Sequence, residues 1–185
     1  MVERERSVPE LYAEARRYFM GEGTINKTLA RLANDLEQRG IDYMVIGAIA
    51  LLAHGYPRFT ENIDLVMTEE DRQNFHDELD RSIKVMTTGK FPGDGKPKPV
   101  SMPRPAEASV EIDGIKFVTL EKLIELKLAS GISASDRLKD LADVQELIKI
   151  KRLDADFALK LDPYVRAKYL ELQEAVRNSK SSQEK

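Results

Sequence analysis

Apolar residues in this chain follow two patterns: a helical spacing near both ends and short, mostly apolar segments in the middle. The helical spacing predicts two helices before residue 40 and three after residue 118. Their predicted bounds are 8–20, 26–39, 119–130, 135–150 and 163–178. In the first helix, the spacing of Val8, Leu11, Ala15 and Phe19 predicts the buried face. The polar residues 179–185 are expected to form a disordered tail.

The apolar runs in the middle of the chain predict β-strands. They are Tyr43–Ile46, Ile63–Met67 and Ile83–Thr87, and we expect them side by side in one sheet. A short helix is expected to start directly after the first strand at Gly47. A polar helix capped by Thr68 is expected to run to about Leu79. Further on, Asp113-Gly114 between two apolar segments predicts a β-hairpin.

This order of elements predicts an α/β (α+β) fold, with a small mixed sheet, flanking helices and a helical C-terminal part. Helices at 1–39 would pack on an α/β core at 40–118, followed by helices at 119–178. The core contains a loop at 89–105 that holds five of the eight prolines. Because proline breaks helices and removes a ladder hydrogen bond, this loop is predicted to lack regular helix or central strand.

Composition excludes several classes of function. The net charge of −3 gives no overall positive field that would recruit nucleic acid. The absence of cysteine excludes disulfides and thiolate zinc sites, and His54 and His76 have no companion at metal-ligand spacing. A charged N-terminus without the apolar core of a signal peptide, and no apolar run of membrane-spanning length, predict a soluble, cytoplasmic protein without a membrane partner.

The stretch from Gly47 to Met67 carries the clearest chemical signal. A glycine ends a strand and a helix begins at once, so the backbone N–H groups of Gly47 and Ala48 are candidates for binding phosphate. Asp64 lies on the next strand, and transfer of a phosphoryl or nucleotidyl group requires a metal-binding carboxylate near the phosphate. The alternative is a turn glycine with an unrelated aspartate on a strand.

The sequence GAIALLAHGYPRFTENIDLVM resembles a motif of the DNA polymerase β-like nucleotidyltransferases, a glycine pair, a helix and Arg-x-Thr-x-Asp-Ile-Asp-Leu. It looks most like small prokaryotic nucleotidyltransferase-like proteins related to the AbiEii toxins. LEKLIELKLASG and RLKDLADVQELI resemble the Lys and Arg-x-x-Asp helices of that group, and FPGDGKPKPV resembles a loop in one of its branches. The resemblance implies a nucleoside triphosphate ligand, two Mg²⁺ ions held by three carboxylates, and an RNA or protein acceptor.

The resemblance also implies roles for individual residues. The catalytic positions are Asp64, Lys127 and Asp140, with Asp64 also a metal ligand, and the nucleotide-binding positions are Gly47, Ala48, Arg58, Lys84 and Arg137. We expect Gly47, Asp64, Lys127 and Asp140 to line one cleft. On residue pattern alone, Lys127 lies beside the buried stripe of its helix, so snorkelling and phosphate binding are both open. For Arg137 and Asp140, the alternative to a functional role is a simple ion pair between the two side chains.

Two carboxylate positions of the motif have changed in this chain. Asn62 stands at the first aspartate of the pair, and Lys84 stands on the strand expected to carry the third carboxylate. An amide is a weaker Mg²⁺ ligand than a carboxylate, and an ammonium repels a divalent ion. We therefore expect an incomplete Mg²⁺ site and weak or absent transfer, unless a carboxylate at Glu61, Glu111 or Asp113 completes the site.

Three functions follow from these observations. The first is a nucleotidyltransferase-family protein that binds a nucleoside triphosphate. The second is a pseudoenzyme that acts as a binding or regulatory module in a toxin–antitoxin or defence system. The third is a nucleic-acid-binding module that uses the basic segment 84–104, which contains Phe91. Metal-dependent turnover, binding without turnover, and steeply salt-dependent RNA binding would distinguish them. The acceptor, base preference and oligomeric state stay open.

Overall fold

The computed structural model describes residues 8–75, 82–89, 91 and 99–183. At its centre is a five-stranded mixed sheet, in the order β3-β2-β1-β5-β4. Its strands are β1 Tyr43–Ile46, β2 Ile63–Met67, β3 Ile83–Thr87, β4 Ser109–Ile112 and β5 Ile115–Val118. The predicted fold class, a mixed sheet with flanking helices and a helical C-terminal part, is therefore confirmed.

Helices surround the sheet and make up the C-terminal part of the chain. In the described residues they are α1 Val8–Phe19, α2 Thr24–Gln38, α3 Gly47–Ala53, α4 Glu69–Asn74, α5 Pro105–Ala108, α6 Leu120–Ser133, α7 Leu138–Lys151 and α8 Pro163–Gln183, with a 3₁₀ turn at Ala155–Lys160. None of the helices seen in this part of the chain is long and apolar enough to cross a membrane.

The pairing of the strands brings two polar residues together. β2 lies antiparallel to β1, with Ile46 opposite Asp64, and β3 lies parallel to β2, with Lys84 beside Asp64. The three strands predicted to be neighbours are neighbours, and α3 begins at Gly47 directly after β1, as predicted. The start of β2 and the end of β1 therefore meet at one position on the sheet.

The predicted hairpin forms the edge of the sheet opposite β3. β4 and β5 pair antiparallel around Asp113 and Gly114, whose φ angles are 51° and 74°. Two successive positive φ angles are what a tight hairpin turn requires. The hairpin prediction is confirmed, and β4 is separated from β2 by two intervening strands.

The apolar faces of α2 and α8 complete the core against the sheet and against α6 and α7. Both stripes were predicted from helical spacing, and all of their members are buried: Ile25, Leu29, Leu32 and Leu36 on α2, and Val165, Tyr169, Leu172 and Val176 on α8. The left-handed turn predicted at Gly40 is also present, with φ of 68°.

The predicted buried face of α1 is wrong at Phe19, while the side chains of Val8 and Leu11 lie outside the described part of the structure, and the predicted disordered tail is wrong over 179–183. Phe19 is 48% exposed and Tyr18 only 1%, because the Tyr18 ring packs edge-on against Phe59 at 5.3 Å. At the other end, α8 continues to Gln183, so residues 179–183 are helical. Extending a helix already fixed by packing adds one hydrogen bond for each residue ordered. Residues 184–185 lie outside the described chain.

The boundary between α6 and α7 also differs from the prediction. Gly131 does not stop α6, which continues to Ser133. Leu141 fills the space where a side chain at Gly131 would lie, 2.5 Å from an ideal Cβ. α7 begins at Leu138 with Arg137 as its N-terminal cap, rather than after Ser135. The glycine therefore permits close packing between the two helices.

Two predictions fall partly outside the described residues. Thr68 caps α4 by accepting a hydrogen bond from the Asp71 N–H at 3.0 Å, as predicted. The expected run to about Leu79 is wrong, because α4 ends at Asn74 and the backbone of Phe75 is extended; residues 76–81 lie outside the described chain. In the loop 89–105, residues 90 and 92–98 lie outside. Its last residue, Pro105, begins the short helix α5, because proline suits the first position of a helix.

Candidate functional site

A pocket of about 480 Å³ lies between the sheet and the α6–α7 pair. The sheet contributes side chains from β2 and β3, and α6 and the start of α7 lie opposite. All of the residues assigned to the site from the sequence line it: Gly47, Ala48, Arg58, Asp64, Lys84, Lys127, Arg137 and Asp140. The expectation that Gly47, Asp64, Lys127 and Asp140 share one cleft is confirmed, whereas their functional roles stay predictions.

Local periodicity explains why these side chains converge. Successive strand residues point to opposite faces, so Asp64 on β2 shares one face with Lys84 and Met86 on β3. Asn62, which directly precedes β2, also lines the pocket. On α6 the lining residues are Leu123, Leu126, Lys127, Ser130 and Ser133, which follow helical spacing. The short connection between α6 and α7 brings Arg137 and Asp140 to the same side.

Gly47 and Asp64 are in unusually close contact. An ideal Cβ at Gly47 would lie 2.3 Å from Oδ2 of Asp64, and Gly47 has φ of 69°. Both the contact and the positive φ require a residue without a side chain. The Asp64 carboxylate therefore occupies the space directly beside the start of α3, where the sequence had suggested bound phosphate.

The Asp64 carboxylate is partly buried, and its charge is stabilised only at a distance. Burial raises its pKa above the ordinary value, and the charges of Lys84, Lys127 and Arg58 offset part of that rise. Among the described residues, no side chain forms a hydrogen bond or ion pair with it. Asp64 is thus a carboxylate whose oxygens stay available to the pocket.

Lys127 lies at the centre of a buried ion-pair network. Its ammonium donates to Asp140 Oδ1 at 2.8 Å and to Asp143 Oδ2 at 2.7 Å. The second oxygen of Asp140 accepts from the Ser130 hydroxyl at 2.7 Å, and Arg58 pairs with Asp143. Burial by itself raises the pKa of Asp140, but the charge and hydrogen bonds of Lys127 outweigh it, so that this pKa is lowered.

This network decides two alternatives that the sequence left open. Lys127 is 7% exposed and forms two ion pairs inside the protein, so the snorkelling interpretation is wrong. Asp140 pairs with Lys127 rather than with Arg137. Sequence reasoning missed Asp143, although it lies one turn after Asp140 and directly before the buried Val144, where a charged residue on an apolar face indicates a buried partner.

The pocket carries more positive than negative charge. Its lining includes five cations, Arg58, Lys84, Lys127, Arg137 and Lys139, and two carboxylates, Asp64 and Asp140. Lys84, Arg137 and Lys139 are exposed and form no ion pair within the described chain. Lys139 was also missed, because nothing in its sequence context distinguishes it from a solvated lysine on a helix surface.

The residues near Asp64 do not fit a site for two metal ions. Asn62 offers a neutral amide, and Lys84, which lies beside Asp64 in the β2–β3 pair, offers an ammonium. Glu61 is exposed and does not line the pocket, and Glu111 and Asp113 are exposed at the opposite edge of the sheet. None of the three carboxylates considered as replacements therefore reaches the site. In the part of the chain that the structure describes, no three His, Cys, Asp or Glu residues are grouped to hold a metal.

Two other residues considered from the sequence now have clear positions. His54 is buried, and its Nε2 lies 2.7 Å from the Val118 carbonyl oxygen, a packing role that joins the end of α3 to β5. Burial lowers its pKa. Phe91, from the basic segment 84–104, lines the pocket rather than an open surface, and residues 90 and 92–98 of that segment lie outside the described residues.

No protein-family model matches this chain, and no curated protein matches it significantly. The resemblance to nucleotidyltransferases therefore stays a prediction from the motif residues.

Proposed function

We propose that the pocket binds the phosphate groups of a nucleoside triphosphate. The observation that carries the proposal is that, among the described residues, five cationic side chains line one pocket, against two lining carboxylates and Asp143 directly behind them, in a chain whose net charge is −3. Lysine and arginine are the side chains that proteins use for phosphate recognition, and charge-assisted hydrogen bonds are the strong ones.

The ion-pair network is compatible with phosphate binding. Lys84, Arg137 and Lys139 have no ion-pair partner among the described residues, so a ligand can take their donors without breaking an existing pair. Lys127 has three N–H donors, and its two carboxylate partners use two of them. The ion-pair network thus holds Lys127 in place, while the three exposed cations, Lys84, Arg137 and Lys139, supply the positive charge that binds phosphate.

The same residues argue for binding with weak or no nucleotidyl transfer, as in a pseudoenzyme. Mg²⁺ prefers oxygen ligands in octahedral geometry and usually requires carboxylates. Beside Asp64, an ammonium close to a divalent ion opposes binding by roughly several kcal/mol at an effective dielectric near 20. A lysine can replace part of a metal's charge on phosphate, but it does not activate the attacking hydroxyl.

Binding can be tested by calorimetric titration of the full chain with ATP in EDTA and in Mg²⁺. We expect binding in EDTA, and about tenfold weaker binding, ~1.4 kcal/mol, for Lys84→Ala or Arg137→Ala. Lys149→Ala is the matched control, because Lys149 is a cation on α7 that does not line the pocket. Absence of ATP binding at millimolar concentration, or equal loss in the control, would contradict the proposal.

Catalysis is tested by transfer of label from nucleoside triphosphates to cellular RNA and protein in Mg²⁺. We expect little transfer by the natural sequence, with Asn62→Asp combined with Lys84→Glu as the variant that restores the carboxylates of the motif. Robust metal-dependent transfer by the natural sequence would refute the pseudoenzyme proposal. Binding of RNA with a steep dependence on salt would instead favour the nucleic-acid-binding function.

A further inference from the structure

The pocket has an apolar end that the phosphate proposal does not use. Met86 follows Lys84 by two residues on the same face of β3, and Phe91 lies just beyond the end of that strand. Met102 joins them, held in place because its carbonyl oxygen accepts a hydrogen bond from Gly89 N–H at 2.9 Å. These three residues line the pocket, and Phe91 and Met86 also pack against the hydrophobic core.

The spacing between the charged and apolar parts suits an amphiphilic ligand. Two residues along a strand span about 6.6 Å, which is the separation between the backbone positions of Lys84 and Met86. A nucleotide carries its charge at one end and a flat ring at the other, with a sugar between them. A ligand that consisted of phosphate alone would leave the apolar end in contact with water.

We propose that Phe91, with Met86 and Met102, forms the subsite for the nucleobase. This inference rests on the proposed function, because Lys84 and its neighbours must hold the phosphates for the base to reach this end. Bases stack on aromatic rings, and the polarisable sulfur of methionine adapts to flat rings. The ligand class is therefore a nucleotide, and inorganic polyphosphate would bind through the charged end only.

Two ligands separate the two ends of the pocket, ATP and inorganic tripolyphosphate, both titrated in EDTA. For Phe91→Leu, which keeps apolar volume but removes the ring, we expect ATP to bind about 5- to 150-fold more weakly, the range for loss of one base-stacking contact. Tripolyphosphate should bind within about twofold of wild type, since its contacts are charges. Phe91→Tyr retains the ring and should bind ATP nearly as well as wild type.

The matched control is Phe19→Leu, because Phe19 is an exposed aromatic residue that does not line the pocket. It should leave both affinities unchanged, and thermal unfolding of each variant shows that the fold is retained. Unchanged ATP affinity in Phe91→Leu, or equal weakening of both ligands, would overturn the base subsite while leaving phosphate binding intact. If neither ligand binds to the natural chain, the proposed function itself fails.

Discussion

Replacing Gly47 by alanine tests the close contact between α3 and β2. The added Cβ would lie 2.3 Å from Asp64 Oδ2 and 3.1 Å from Asp64 Cγ, so the aspartate must move. A residue with a side chain at φ of 69° costs about 1–2 kcal/mol, and forcing Asp64 off its rotamer costs about 0.5–1.5 kcal/mol. We therefore expect Gly47→Ala to lower the free energy of unfolding by roughly 2–3 kcal/mol.

Gly40→Ala is a matched control that isolates the backbone cost. Gly40 has φ of 68°, nearly that of Gly47, but nothing lies within 4 Å of its ideal Cβ. Urea unfolding at neutral pH measures both variants, and the decrease for Gly47→Ala corresponds to a fall in Tm of about 4–12 °C for a chain of this size. The excess of Gly47→Ala over Gly40→Ala is the contribution of the Asp64 contact.

A double-mutant cycle then assigns that excess to Asp64. In the Asp64→Ala background the carboxylate is gone, so Gly47→Ala should cost little more than Gly40→Ala. We expect a coupling free energy within the range of about 0.5–3 kcal/mol seen for residues in contact. If Gly47→Ala costs no more than Gly40→Ala, or if the two substitutions are additive, the carboxylate does not lie over Gly47 and the reasoning is refuted.

Two further predictions concern buried charge and pH. Lys127→Met leaves Asp140 without its ion-pair partner and Asp143 with Arg58 alone, and it should destabilise the fold by about 3–5 kcal/mol in urea unfolding. Lys149→Met, at an exposed pair, should change stability by less than about 0.5 kcal/mol, and similar losses in the two variants would contradict the buried network. Because burial lowers the pKa of His54, stability should be fully present above the unfolded value near 6.5 and fall as pH drops toward the folded pKa. His54→Gln, whose amide can still donate to the Val118 carbonyl, should reduce the change in the free energy of unfolding between about pH 7.5 and 5.5. If this pH dependence is the same in the variant, another group is responsible for it.

The sequence predicted the strands and most helices because their signals are local. β1 is an unbroken apolar run followed by Gly47, and β2 is apolar except for Asp64 and is followed by Thr68. α2 and α8 carry regular apolar stripes, so each element can be located without knowing its neighbours. The errors arose where a contact between residues far apart in sequence determines which side chains are buried. The face of α1 depends on the contact between Tyr18 and Phe59, which spacing within α1 does not reveal.

For the candidate site, the residues that line the pocket were predicted from the sequence, but their ion-pair partners were not. Helix spacing placed Lys127 beside the buried stripe of its helix, and the motif resemblance assigned Asp64 and Lys84 to the same site, where all three line the pocket. The partner of Asp140 was harder to predict, because Arg137 lies three residues before it and Lys127 lies on another helix, and only the packing of α6 on α7 selects Lys127. Periodicity gives the face of a helix, whereas the choice of partner depends on the relative position of two helices.

The last prediction separates a structural role for Asp64 from a metal-binding one. Asp64 is a partly buried carboxylate whose raised pKa reflects burial, offset by the charges of Lys84, Lys127 and Arg58. Without a metal, its negative charge repels phosphate, so Asp64→Asn, which keeps the shape, should tighten tripolyphosphate binding in EDTA by up to about tenfold, ~1.4 kcal/mol. If Asp64 held Mg²⁺ that bridges to the ligand, the same substitution would weaken ATP binding in Mg²⁺. The two roles therefore predict opposite signs, and weaker binding of ATP in Mg²⁺ together with unchanged binding of tripolyphosphate in EDTA would refute the metal-free site.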